Sequence, residues 1–194
     1  MFEYLKEIRP AVILFVAFTM FTGLAYPLFI TGIVQTTMPA KAEGSLIVVD
    51  GRIVGSELIG QTFQSPGYFH GRPSYVNYGA NGSGASNLGP TSARLMEEVS
   101  RRIDQVRREN SLSADQSVPA DLVLNSGSGL DPHISRQGAI EQVARVAEAR
   151  GLTHSAVQAL VDGNVEPAMI GILGQERVNV LRLNLALDEA TKES

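Results

Sequence analysis

The sequence predicts an α+β (or α/β) extracytoplasmic domain held to a membrane by one N-terminal transmembrane helix. Three observations carry this. No charged side chain occurs between Arg9 and Lys41, and Ala11 to Ile30 reads AVILFVAFTMFTGLAYPLFI, almost wholly apolar. Beyond it, two short β-rich runs flank Asp50-Gly51, and stretches with apolar residues at helical spacing follow. The chain ends in the alternating run VNVLRLNLAL.

The apolar run comes first. An α-helix rises about 1.5 Å per residue, so roughly 20 residues cross a hydrocarbon core of about 30 Å with every backbone polar group bonded internally. Residues 11–34 are assigned to the span and residues 1–10 to the segment before it. Ala40-Lys41-Ala42 has the small-x-small form of a signal cleavage site. A signal core, however, runs only about 7–15 residues and sits close to its cleavage site, so the helix is read as a retained anchor. Lys6 and Arg9 precede the span and Lys41 alone follows it, which predicts a cytoplasmic N-terminus and an external C-terminal domain. Thr19 and Gly23 stand four residues apart, with Pro27 continuing their face. That small-xxx-small spacing admits a packed neighbouring helix, although glycine and proline are also commoner in membrane helices generally. Pro27 removes a backbone donor and is expected to disturb the helix.

After the span, residues 35–44 read as a juxtamembrane linker and residues 45–190 as one domain, the roughly 160 remaining residues being enough for one core and few for two. Leu46 to Val49 and Arg52 to Val54 flank Asp50-Gly51, a pair suited to a type I′ hairpin turn. Ser65 to Pro90 is rich in glycine and proline and reads as a long loop. Its aromatics Tyr68, Phe69, Tyr75 and Tyr78 call for burial, so the loop is expected to be ordered.

Pro90 is expected to open a helix in which Leu95, Val99, Ile103 and Val106 share a face. On its other side Glu97, Glu98 and Asp104 lie four residues before Arg101, Arg102 and Arg108, the spacing of a solvated ion-pair face more than of a phosphate site. Residues 110–118 read as a surface loop, 119–124 as a short helical turn or a strand, and 125–129 again as loop. Asp131 is expected to cap a helix beginning at Pro132, with Ile140, Val143, Val146 and Ala147 inward and Gly151 as its stop. Thr153 caps a shorter helix ending at Gly163-Asn164. In the last run Leu181, Leu183 and Leu185 alternate with Arg182 and Asn184, which predicts a strand turning helical near Asp188.

Composition narrows the chemistry. The formal charge of −4 belongs entirely to the part after Val34, because Glu3, Lys6, Glu7 and Arg9 cancel; an acidic domain argues against nucleic acid and anionic lipid as partners. With no cysteine there is neither a disulfide framework nor a thiolate ligand or nucleophile. Ser126, Ser128, Asp131 and His133 lie close enough to raise a membrane-tethered envelope hydrolase using Ser128, Asp131 and His133, but no G-x-S-x-G elbow surrounds Ser128. His70, His133 and His154 show no metal-ligand spacing, and neither phosphate-binding glycine motif is complete. Arg72 either pins a partner's carboxylate or carbonyls, or braces its own loop.

Taken together, YFHGRPS at 68–74, SNLGPT at 86–91, SGLDPHIS at 128–135 and VNVLRLNLALD at 178–188, behind an N-terminal span, resemble the C subunits of the Kdp potassium-transporting ATPase, in order and over nearly the full length. The resemblance implies a non-catalytic accessory subunit in a bacterial inner membrane, with its domain periplasmic. Its implied partners are a channel-like potassium-translocating subunit, a P-type ATPase subunit and a small membrane subunit. ATP and potassium then belong to those partners, and no cofactor or metal is expected on this chain. Phe69, His70, Arg72, Pro73, Ser74, Asn87, Leu88, Gly89, Pro90, Asp131, Pro132, His133 and Ser135 become candidates for scaffold or docking surface. Two family mechanisms stand open: a catalytic chaperone that raises the ATP affinity of the ATPase subunit through a shared nucleotide, and an external cap on the channel-like subunit.

Overall fold

The computed structural model describes residues 2–168 and 173–192, and the chain divides into two compact units, Met1–Leu46 and Ile47–Ser194. In the first, helix α1 (Phe2–Met20) passes into a π-helical turn (Phe21–Ala25) and then α2 (Tyr26–Thr37). The cause of the π turn is local. Pro27 has no N–H to offer the carbonyl four residues back, and the Tyr26 N–H bonds instead to Phe21 O, five residues back. Thr19 and Thr22 donate their hydroxyls to Phe15 O and Phe18 O at 2.8 and 2.7 Å, which hides two polar groups in an apolar helix. From Lys6 to Thr37 this helix is long and apolar enough to cross a membrane. Its side chains, Phe15 at 72% exposure among them, face outward as lipid contact requires. A one-turn helix α3 (Pro39–Ala42) occupies part of the segment read as linker.

The second unit has the expected mixture, and its antiparallel pairing makes it α+β. Strands β1 (Leu46–Val49) and β2 (Arg52–Ser56) form a two-stranded sheet. Asp50 and Gly51 both adopt positive φ, 49° and 75°, as a type I′ turn demands. A three-stranded sheet has the order β3 (His133–Ser135), β5 (Arg177–Asn179), β4 (Val165–Glu166), all antiparallel, with Ile134 opposite Val178 and Val165 opposite the same Val178. Helices α5 (Arg136–Ile140), α6 (Val143–Arg150), α7 (His154–Gly163) and α8 (Val180–Lys192) pack against it and each other. They enclose a core of Phe69, Ile134, Val143, Val146, Val157, Val161, Val178, Leu183 and Leu187.

Four expectations are corrected. The helix expected from Pro90 is α4 (Ala93–Asn110), and its cap is Ser92, whose Oγ accepts from Leu95 N. Asp131 caps no helix: Pro132 leads into β3, and Ser135 caps α5 by accepting from Gly138 N. The single helix expected after it is two, broken at Glu141-Gln142 before α6 closes on Gly151 at φ 66°. Only the first two residues of the C-terminal run, Val178 and Asn179, belong to a strand. From Val180 it is helical, because Val180, Leu183, Asn184 and Leu187 recur at helical spacing and all are buried. The alternation misled because Asn184, read as outward, points inward. Elsewhere the reading of the elements agrees: Thr153 caps α7 through Ala156 N, Asn164 ends it, and residues 120–122 form a short 3₁₀ turn. The inward face of α4 is likewise made by Leu95, Val99, Ile103 and Val106, all partly buried, and Glu98 lies 3.7 Å from Arg102.

Candidate functional site

Residues 57–92 contain no helix or strand, so their backbone groups need partners from elsewhere. Side chains supply them. Phe69, fully buried, donates its N–H to Asn184 Oδ1 at 2.8 Å and accepts from Asn184 Nδ2 at 3.0 Å. Gln142 treats the next residue the same way, accepting from His70 N at 2.7 Å and donating to His70 O at 3.2 Å. A carboxamide carries donor and acceptor in one plane, as a peptide group does, and so stands in for a neighbouring strand. Arg145 donates to Pro66 O, Tyr68 O and Gln142 Oε1, and Arg150 to Gly67 O while its guanidinium lies 4.4 Å from the Tyr68 ring centre.

A second tie joins the loop to residues 125–135. Arg72 donates to Asp131 Oδ2 at 2.9 Å and to Asn125 O at 3.4 Å, so it braces its own domain. Pro73 O accepts from Ser126 N, and Ser74 Oγ donates to Gly129 O at 2.6 Å while accepting from Tyr78 N. Gly129 must be glycine: at φ 71° a Cβ would lie 2.6 Å from Gly84 O. Tyr78, itself at φ 56°, is held there by its hydroxyl bond to Arg72 O. Burial, with Asp131 nearby, pushes the Tyr78 phenol up to about 12. Burial also works against the Asp131 carboxylate, but hydrogen bonds from the His133 ring and backbone and from Arg72 outweigh it and hold the pKa at about 2.

The two histidines of these motifs sit between carboxylates and carbonyls. His70 Nε2 lies 3.2 Å from Ser65 O and Nδ1 3.7 Å from Glu109, yet burial and the Arg145 charge lower its pKa. His133 Nδ1 is 3.5 Å from Asp131 and Nε2 3.6 Å from Glu166. Pro132 O accepts from Val180 N, and Ser135 is tied through N and Oγ to Asp121.

The motifs therefore separate. YFHGRPS and SGLDPHIS meet in one bonded network. The NLGP stretch does not join it: Asn87, Gly89 and Pro90 are exposed, Leu88 is partly so, and Asn87 is left-handed at φ 53°. Thr19, Gly23 and Pro27 lie in the helical anchor, with open space around Gly23. Sequence reasoning missed Gln142, Arg145, Arg150 and Asn184. The available signal was a polar residue interrupting an apolar helical face, as Asn184 does between Val180 and Leu187.

The proposed hydrolase triad is not assembled. Both seryl hydroxyls accept from backbone, Ser126 from Gly129 N and Ser128 from Leu130 N, and the two ring nitrogens of His133 face the carboxylates of Asp131 and Glu166. Among the described residues no group of three His, Asp or Glu side chains is placed to hold a metal.

Residues 8–189 match the family described as KdpC: K+-transporting ATPase, c chain. The chain belongs to the KdpC family. Relatives named Potassium-transporting ATPase KdpC subunit include one from Rhodopseudomonas palustris strain TIE-1, 48% identical over 96% of this chain and 98% of the relative. Another, from Cereibacter sphaeroides strain ATCC 17029 / ATH 2.4.9, is 50% identical over 96% and 98%. A third, from Rhodospirillum rubrum, is 52% identical over 95% and 96%. The resemblance carried by the four sequence phrases is thus a family membership over nearly the whole chain.

Proposed function

We propose that this chain is the non-catalytic accessory subunit of an ATP-driven potassium uptake complex, anchored once in the inner membrane with its N-terminus cytoplasmic. Its domain lies outside, as a cap on the channel-like subunit, and it helps hold that subunit with the P-type ATPase subunit and the small membrane subunit. ATP and potassium are handled by those partners.

The observation that carries this reading is that the carboxylates, imidazoles and hydroxyls of the motif network are engaged in internal bonds, while Asn87, Gly89 and Pro90 of NLGP stand exposed outside it. The side of the membrane rests on Lys6 and Arg9 against Lys41. A domain outside cannot touch cytoplasmic ATP, so any change in the ATP affinity of the ATPase subunit passes through the partners as a coupling free energy. The chaperone and cap mechanisms then differ only in what is touched directly.

Protease added to right-side-out cells should cut the domain, and in sealed inverted vesicles it should leave the domain whole; the reverse pattern overturns the placement. Gentle detergent extraction of a tagged copy from potassium-starved cells should recover a channel-like and a P-type subunit with potassium-stimulated ATPase activity. A tagged chain that comes out alone overturns the accessory role.

A further inference from the structure

Outside the anchor, the large apolar side chains left open gather in one place. Leu46, Val48, Ile53 and Leu58 all belong to the β1–β2 hairpin or the turn behind it, whereas elsewhere such residues come singly, as Tyr75, Met96 and Leu124 do. Single exposed apolar residues are ordinary; a cluster marks a surface that something covers. Along β1 exposure alternates, with Leu46 and Val48 open and Ile47 and Val49 partly covered. The two-residue turn at Asp50-Gly51 sets Val48, 57% exposed, opposite Ile53, 64% exposed, so these side chains share the open face. A hairpin packed on its own domain ordinarily turns polar residues to water, and this one turns aliphatic ones.

The anchor fixes where this face can be. From Lys6 to Thr37 the helix runs 32 residues, about 48 Å at 1.5 Å per residue. That exceeds a hydrocarbon core of about 30 Å and matches core and headgroups together, about 40–45 Å, so Thr37 ends at headgroup level. No free chain then intervenes before the hairpin. Met38 N bonds to Val34 O, α3 follows, and Ser45 N returns to Ala40 O, both at 2.8 Å. Along that bonded path Leu46, the first residue of β1, lies within about 20 Å of Thr37.

We propose that the open face of the hairpin, Leu46, Val48 and Ile53 with Leu58, rests in the boundary between headgroups and acyl chains of the bilayer that the anchor crosses, holding the domain to the membrane at a second point. Lys41 and Arg52 against Glu43, Asp50 and Glu57 leave this part of the chain near neutral. Apolar area, not charge, therefore draws the face in, which suits zwitterionic lipid and a domain too acidic for anionic lipid. This seating uses the anchor of the proposed function and none of its partner subunits.

Because the chain has no cysteine, a nitroxide can be attached at one chosen position at a time. Val48→Cys, Ile53→Cys and, as a water-exposed reference on α6, Glu148→Cys are labelled in the full chain and placed in phosphatidylcholine nanodiscs. Collisions of the label with oxygen, which concentrates among acyl chains, are compared with collisions with a water-soluble nickel chelate. The oxygen-to-nickel ratio should be severalfold higher at residues 48 and 53 than at 148. Ile53→Asp and Leu58→Asp together, both at outward positions, should bring the ratio at 48 down toward that at 148. Ratios at 48 and 53 equal to that at 148, or a ratio at 48 that the two aspartates leave unmoved, overturn the proposal. Exclusion of both reagents overturns it too, since protein, such as a second copy of the chain, would then cover the face. In the assembled complex the same labels should keep the lipid signature; its loss there means that a partner subunit takes the face and overturns lipid as the occupant. Failure of the subunits to assemble overturns the accessory-subunit reading alone.

Discussion

Asn184 does for Phe69 what a neighbouring strand would do, and a hydrocarbon of the same size cannot. Asn184→Leu leaves a buried N–H and a buried C=O unpaired, each costing about 1–3 kcal/mol, so the denaturant midpoint of the full chain in detergent should fall by an amount consistent with 2 to 6 kcal/mol together, at about the low end if the loop relaxes. The ionisable residues of the network make a second prediction. His70 titrates below its ordinary 6.5 in the fold, so the unfolded chain takes up that proton first and stability declines as pH drops below about 6.5, until folded His70 protonates as well. Asp131 sits at about 2 against an ordinary 3.8; its contribution is present above about 4 and is lost as pH falls from there toward 2. Denaturant midpoints measured against pH should show both declines. Asp131→Asn should abolish the lower one and His70→Asn the upper one.

At the level of elements, what the sequence made legible was what local chemistry decides. Asp50-Gly51 dictates its own turn, Thr153 its own cap, and Gly151 its own stop, so these were found where they were expected. The misses came where two local signals competed and a distant partner chose between them. Asp131-Pro132 has the chemistry of a helix start, but Arg72 claims one Asp131 oxygen and the His133 N–H the other, and the helix waits for Ser135. In the C-terminal run the alternation of leucines fitted a strand, and only the buried bond from Asn184 to Phe69, 115 positions away, makes the helical face whole. Of the candidate site, the motif residues could be named from sequence, whereas the side chains that hold them in place could not. Pro27 offers an element-scale prediction. Pro27→Ala restores the missing N–H, the π turn should close to α, and the flanking helices should rotate by about 100° relative to each other, the angle of one residue. Recovery of partner subunits with the tagged chain should drop several-fold while the span stays inserted, as alkaline extraction of membranes would show.

For the whole molecule, the division between a scaffold network and an exposed NLGP stretch predicts that stability and assembly can be separated. Leu88→Glu or Asn87→Asp should leave the stability of the chain nearly unchanged, within about 0.5 kcal/mol, because neither position is buried and aspartate tolerates the left-handed backbone that Asn87 adopts. The same substitutions should reduce copurification of the other subunits. Equal loss of both would mean that NLGP is structural after all. The long bonds of the network also impose an order in time. Residues 66–74 leave the ribosome well before Arg145, Arg150 and Asn184, the side chains that fasten them, and contacts so far apart in sequence form late in folding. Until α8 is made, the Phe69 peptide has no partner. A chain cut short before its last helix would therefore present no finished surface, and assembly would admit only subunits whose synthesis had run to the end.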